Sequence, residues 1–499
     1  MATLEGERVT RRWTSAGLLL ACLHCGGERA DDPTLTPGGR GDADTDADTD
    51  TDADTDTDTD TPTDSGPTGE TGDHTTTTGP DWASCALDPG HALRVICTVI
   101  DPGRTGTVTW TVTQGDRTRT ATVDASDDAI LWGFGPNQQL DWQVEHEGDV
   151  GMGAFPTASL PAGVASLQAT MSGAPLETEA FAVPFTCDGQ SGAAIFDAAG
   201  DIVWYHQEPT TGAGVLMGNV GLDIVDEQVL LSQGGRSLIE VSVTGAESFR
   251  VDGTDRPMHH DVAIGATHRF ALNASLHGST VVDGFYVYDP SGNLVAEWDY
   301  ADHVEVGSTG IGGFWLMEFP FASDWSHANS IELDGPDHVL ISLKHLNAIL
   351  RVVSNPSRTD FGDVEWTLDG GRGQLPSDFT WTDAERFLDQ HHVARRVGGG
   401  LTVFDNLGGD ASRAATLTVD EGAGTVGMEA SWSFAGRCPV QGSTYEQAGG
   451  SILSMCTTSG TVREFAPDTQ TPSWEVDLLC LQRSGGSGHL ARAIPVSLP

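Results

Sequence analysis

Ile195-Phe196-Asp197-Ala198-Ala199-Gly200-Asp201-Ile202-Val203-Trp204 reads as an apolar strand, a turn, and a second strand that ends in an aromatic. Asp suits the turn because its carboxylate folds onto nearby backbone, and Gly because it takes positive φ without a steric cost. The unit returns as Val241-Ser242-Val243 through Gly245 to Phe249, and as Val287-Tyr288-Asp289 through Gly292 to Trp298. Leu350-Arg351-Val352 to Trp366, Leu417-Thr418-Val419-Asp420 to Trp432, and Phe465-Ala466-Pro467-Asp468 to Trp474 complete the set. The closing aromatics lie 45, 49, 68, 66 and 42 residues apart. Such a period accommodates four short strands, and radial repetition of four-stranded units leaves only short sheet edges. Six copies therefore predict a six-bladed β-propeller over 185–499, with insertions in the two long intervals.

Upstream, Gly106-Thr107-Val108-Thr109-Trp110-Thr111-Val112 and Thr118-Arg119-Thr120-Ala121-Thr122-Val123 flank a hairpin turn at Gln114-Gly115-Asp116. Short runs at this spacing predict a small β-sandwich over 82–184, to which Ser159–Gly163, Leu167 and Ala169 are assigned. Residues 23–81 read as a disordered acidic linker. From Asp42 to Asp60 aspartate alternates with Thr or Ala, so like charges extend a chain that has nothing to bury. Calcium loops need a turn glycine and a packed flank, which this tract lacks. Residues 1–22 read as a signal peptide: Arg8, Arg11 and Arg12 precede an apolar run, Ala16 to Leu23, too short to span a bilayer. Leu19-Leu20-Ala21-Cys22 has the form of a bacterial lipobox, which predicts an exported chain, periplasmic or at the cell surface, anchored by lipid at Cys22.

The formal net charge is -47. Eleven aspartates between Asp42 and Asp64 account for part of it, leaving -36 for the rest, so the folded portion is acidic too. Such a field repels nucleic acid and anionic lipid, and neither is expected as a partner. Homo-oligomerisation is left open. Beyond Cys22 and Cys25, six cysteines remain, consistent with disulfides in an exported chain. Cys85 with Cys97 and Cys438 with Cys456 are the local candidates among about fifteen connectivities.

Four places carry chemistry. They are His259-His260-Asp261, His327 in Trp325-Ser326-His327-Ala328-Asn329-Ser330, Lys344 at the end of Val339–Leu343, and Gln390-His391-His392. Equivalent points of successive blades converge on a propeller axis, so these residues would form a cationic pocket in an acidic protein. Imidazole suits proton movement and group acceptance near neutrality. A histidine taken alone is more often a hydrogen-bonded strand-end residue, and His206, His268, His277, His303 and His338 are read that way. No G-x-S-x-G elbow and no H-E-x-x-H helix occurs, and Cys438-Pro439-Val440-Gln441 lacks the arginine of the sulfatase motif. A three-histidine axial metal site is compatible with the spacing, but no metal and no cofactor is assigned.

In this order the motifs resemble the bacterial PAPS-independent arylsulfate sulfotransferases over roughly 185–499. His327-Ala328-Asn329-Ser330 is similar to the family's His-x-Asn-Ser, Ser342-Leu343-Lys344 to its Ser-x-Arg, and Trp366-Thr367-Leu368-Asp369-Gly370-Gly371 to its Trp-x-Leu-Gly-Gly. Gln390-His391, Leu401 to Asn406, Ser412-Arg413, and Gly442-Ser443 ahead of Ile452-Leu453 resemble its later segments. The resemblance implies ping-pong transfer of a sulfuryl group from an aryl sulfate to a phenol through a sulfohistidine. It makes His391 the nucleophile, His260 (or His259) and His327 the sulfate-binding proton carriers, and Lys344 the neutralising cation. Two positions depart from the pattern: Lys344 stands where the family has arginine, and His392 follows the nucleophile. Two competing readings are a non-catalytic propeller binding an anionic or aromatic ligand, or serving as a surface interaction module, and a metal-dependent enzyme.

Overall fold

The computed structural model describes residues 79–209, 221–307, 315, 318–406, 411–481 and 489–499, so the expected signal peptide, Cys22 and almost all of the acidic linker lie outside the described residues. Two sheets come first. One orders Ala83–Leu87, Val95–Val99 and Ala129–Leu131, and the other Arg117–Asp124, Thr107–Gln114, Gln139–His146 and Asp149–Pro156. Alternation along Thr107–Gln114 buries Val108, Trp110 and Val112, which join Val95, Leu140, Trp142 and Val144 in one core. Cys85 and Cys97 are bonded across the first sheet. Arg117 pairs with Asp197 and Asp201, and the His91 ring stacks on Tyr205, so these sheets seat on the strand pair that follows.

Six sheets built on antiparallel strands succeed one another among the described residues beyond 166, the third and fifth each adding a short parallel strand, Ser323–Asp324 and Thr380–Trp381. From its innermost strand outward, the second runs Leu222–Val225, Gln228–Gln233, Ser237–Ser242, Glu247–Asp252. The third runs Met258–Ile264, Arg269–His277, Thr280–Tyr288, Leu294–Asp299, and the fourth Ala328–Leu333, His338–Leu343, Ala348–Val353, Val364–Asp369. The fifth runs His392–Arg395, Leu401–Asp405, Arg413–Asp420, Thr425–Ser433, and the sixth Ser443–Glu446, Ile452–Cys456, Thr461–Phe465, Pro472–Cys480. Each closing aromatic of the sequence repeat is buried on the fourth strand of its sheet, counted outward from the recess. Several stitch one sheet to the next through the indole N–H: Trp204 donates to the Val243 carbonyl (2.8 Å), Trp298 to Gly362 (2.9 Å) and Trp432 to Ala466 (3.2 Å). Trp474 of the sixth sheet donates to Ala198 of the first (3.2 Å), closing the circuit.

Both ends of the circuit use strands remote in sequence. The first sheet orders Ile202–Pro209, Gln190–Asp197 and Ala180–Cys187, and the C-terminal segments His489–Leu490 and Ile494–Val496 complete it on the inside. Leu167–Gly173 pairs with Pro472–Cys480 as a fifth strand of the sixth sheet. Residues 162–173, assigned from sequence to the sandwich, thus form a short helix, Ala162–Ala165, and a strand of the repeat. The 184/185 boundary falls inside Ala180–Cys187. The reason is physical: the first sheet is one strand short and the sixth would end on an open edge, and the segments flanking the repeat pair with the exposed backbone of both. Cys187–Cys480 ties the two end sheets together, and Cys438–Cys456 lies inside the sixth.

The innermost strands are joined by a relay of hydrogen bonds, each from a backbone N–H to a side chain of the preceding inner strand. Ile264 donates to Asp223 (2.6 Å), Ile331 to Asp261 (2.9 Å), Val393 to Ser330 (3.2 Å), Thr444 to His392 Nδ1 (3.3 Å) and Ala493 to Ser443 (3.1 Å). This relay fixes the rotation of every inner strand. It thereby decides which residue beside each acceptor faces the axis.

Candidate active site

The residues one position before four of these five acceptors, His260, Asn329, His391 and Gly442, line a single narrow recess with Gln441, Ala491 and Arg492. Irregular backbone at the mouth of each inner strand makes this arrangement. The ladder is interrupted between Met258 and Val262 and again between Ala328 and Ser330. His260 (φ 54°), His327 (φ 48°), Asp389 (φ 51°) and Gln441 (φ 56°) all take the left-handed conformation there. For residues with a Cβ this geometry is uncommon and costs energy that the surrounding packing must offset. At Gly442 (φ 125°) a Cβ would lie 2.3 Å from the Phe404 ring, so only glycine fits.

The expected site residues lie together. The His260 and His327 ring centroids are 5.1 Å apart, and His327 is 4.4 Å from His345. Lys344 donates its amide to the His327 carbonyl (3.1 Å), and its charge bears on His260, His327 and His391. The two doublets are separated by geometry. His259 turns away from the recess to Asp283 (3.0 Å) and packs edge-on against Trp315, whereas His260 faces it. His392 is committed to Glu332 (3.0 Å) and the Thr444 amide, whereas His391 faces the recess.

His391 has a defined tautomer. Its Nδ1 meets Asn406 Oδ1 at 3.0 Å. The Asn406 amide cannot be turned around, because its Nδ2 donates to the carbonyls of Cys438 (2.5 Å) and Gln441 (2.8 Å). Oδ1 is therefore an acceptor, Nδ1 carries the proton, and Nε2 keeps its lone pair. Burial holds the His391 imidazole well below its ordinary value; Lys344 adds to this and the Asn406 bond opposes it. Burial likewise depresses His260, aided by His259, His391, Lys344 and Arg492, and depresses His327, aided by His345 and Lys344. All three rings are neutral at pH 7.

His327 Nδ1 is bonded to Asp324 at 2.5 Å, and burial with the neighbouring Asp283 charge pushes the Asp324 carboxyl well up. A proton passed between these two groups would leave no isolated buried charge. Asp324, His327 and His345 could each offer one ligand atom to a metal ion within a 4.8 Å span. The Asp324–His327 separation is a hydrogen-bond length, shorter than the roughly 3.3 Å between two ligands of one tetrahedral zinc. Asn329 Oδ1 and Gln441 Oε1 are buried at the recess without a hydrogen-bond partner among the described residues. A ligand hydroxyl would satisfy either one.

Several site residues carry no sequence assignment of their own. Asn406 and Asn329 sit inside quoted motifs, and Asp324 precedes His327 by three positions. Arg492 is a lone cation between the last two strand segments, with no pattern around it to mark it.

Imidazoles and a guanidinium, His260, His391 and Arg492, are thus buried around one recess at the inner strands of successive sheets. The arylsulfotransferase (ASST) family model matches residues 168–435, more than half of the chain, and the chain belongs to that family. Aryl sulfotransfer is thereby supported as its general activity. No curated protein matches the chain. Among solved structures, a Staphylococcus aureus virginiamycin B lyase with quinupristin is 11% identical, covering 64% of this chain and 91% of its own, at a TM-score of 0.36. The periplasmic gluconolactonase of Pseudomonas aeruginosa is 13% identical, covering 79% and 100%, at 0.38.

Proposed function

We propose that this protein transfers a sulfuryl group from an aryl sulfate ester to a phenol by a ping-pong route through a sulfohistidine at His391, on a six-bladed propeller whose blades are the six sheets. The observation that carries this reading is the Asn406 lock, which gives a buried imidazole with a free Nε2 lone pair on a ring that lines the same recess as His260. In the first half-reaction Nε2 attacks sulfur, the N–S bond forms and the S–O(aryl) bond breaks. The departing phenolate takes a proton from His327, which Asp324 orients. Lys344 offsets the charge spread over the sulfuryl oxygens. In the second half-reaction the acceptor phenol passes its proton to His327 or His260. Its oxygen attacks sulfur, and the N–S electron pair returns to Nε2. Asn329 Oδ1 or Gln441 Oε1 is suited to hold the acceptor hydroxyl.

The same reading places the chain outside the cytoplasm, periplasmic or at the cell surface, lipid-anchored at Cys22. The lipobox-like Leu19–Cys22 and the disulfides support this. The test is a chromogenic aryl sulfate with and without excess phenol, beside a His391→Ala control. Phenolate release that depends on acceptor and is lost in the variant supports transfer. No release across several donors favours a ligand-binding propeller instead.

A further inference from the structure

The departure at position 344 replaces a planar five-donor fork by a point charge, and a sulfate ester is better matched by the fork. A guanidinium is nevertheless present at the recess. Arg492, 5% exposed, lines it together with His260, Asn329 and His391. It reaches the site from the opposite end of the chain, between the two segments that complete the first sheet. Its Nη1 pairs with Asp261 Oδ1 at 2.7 Å. Asp261 is itself fixed, accepting the amides of Val262 (2.7 Å) and Ile331 (2.9 Å) from two successive inner strands. A cation held by one rigid monodentate contact is oriented yet keeps donor capacity for a ligand.

We propose that Arg492 is a direct ligand of the donor's sulfuryl oxygens, supplying the guanidinium that position 344 lacks, with Asp261 positioning it. This rests on the sulfuryl-transfer reading of the recess and names a further residue for it. The charge balance agrees. Three carboxyls bear on Arg492, and burial raises all of them: Asp261 to about 8, Glu332 to about 7 and Asp223 to about 7. Near neutrality Asp261 is mostly protonated and Glu332 and Asp223 about half so, which leaves part of the Arg492 charge to an anion. The C-terminal strand thus both closes the circuit of sheets and completes the site.

The test measures binding apart from turnover. Calorimetric titration of the His391→Ala protein with 4-nitrophenyl sulfate reports donor affinity without chemistry. Adding Arg492→Gln together with Asp261→Asn, which leaves no lone buried charge, is expected to weaken it by about 30-fold, the loss of charge-assisted hydrogen bonds. Arg492→Lys with Asp261 retained is expected to recover only part of the loss. In the otherwise unaltered protein the same changes raise KM for the donor and lower kcat/KM. Circular dichroism and thermal melting establish that each variant is folded. Unchanged donor affinity in the folded double variant overturns the inference, even where turnover by the unaltered protein upholds sulfuryl transfer. Affinity that depends on Arg492 without any turnover upholds the inference and removes the transfer reading. Absence of both binding and turnover overturns the two together.

Discussion

Replacing Asn406 by alanine removes the lock on the nucleophile and is the most informative perturbation of the fold and chemistry together. Asn406 is fully buried and makes three hydrogen bonds, one to His391 and two to carbonyls of the segment entering the sixth sheet. Left unpaired, these groups cost about 1 kcal/mol each, roughly 3 kcal/mol in total. For a chain of this size that lowers Tm by roughly 5 °C. The kinetic effect is separate. As sulfur adds to Nε2 the ring becomes cationic and the Nδ1–H···Oδ1 bond strengthens, so its loss is felt more in the transition state than in the bound donor. At about 2 kcal/mol for a charge-assisted bond, kcat falls about 30-fold while KM for the donor changes little. Stopped-time phenolate assays at saturating acceptor, with thermal melting on the same samples, read both effects. A folded Asn406→Ala protein with unaltered kcat would refute the assignment of Nε2 as the attacking atom through this tautomer.

Further outcomes follow from the same interactions. Because burial depresses His391 and His327 well below 6.5, kcat/KM should hold as pH falls through 6.5, with its acid limb well below that. An acid limb at 6.5 contradicts the buried neutral imidazoles. Stability should decline between pH 6.5 and 8. Asp261, Glu332 and Asp223 keep protons in the folded state up to about 8, 7 and 7, whereas the unfolded chain has released them near 4. The folded state therefore binds more protons across that window, and unfolding is favoured as pH rises, by about 3 kcal/mol for the cluster; melts at pH 6.5 and 8.5 measure it. Glu464, buried in the sixth sheet, accepts the amides of Leu176, Glu177 and Thr178 and bonds to Gln447 and Ser451. Glu464→Ala should cost about 3 kcal/mol in chemical denaturation with little change in KM. Cys187–Cys480 closes a separation of 293 residues, and Cys187→Ser with Cys480→Ser should lower stability by about 4 kcal/mol, read by the same denaturation.

The repeat was legible because its marker is a packing element. Each closing aromatic fills the space between neighbouring sheets, and four of the tryptophans also bond to the next sheet, so their spacing records the sheets directly. The ends of the repeat were not legible. Leu167–Gly173 pairs with residues about 300 positions later, and no local pattern distinguishes it from a sandwich strand. The site was partly legible. His260, His327, His391 and Lys344 stand beside apolar strands in motifs with order and spacing. Asn406 could be quoted but not given a role, because its function lies in two carbonyls across the fold. Arg492 carried no signal, since only the closing strand brings it to the axis. The doublets His259-His260 and His391-His392 could not be resolved without the left-handed and irregular backbone that turns one ring of each toward the recess.

The most direct test of the account is to mix the protein with aryl sulfate in the absence of acceptor, quench at neutral to alkaline pH, and map the modified peptide by mass spectrometry. The account predicts one sulfuryl group on His391, lost on adding phenol and absent from His391→Ala. Turnover with no adduct on His391 at any quench time, or with an adduct elsewhere, would contradict it.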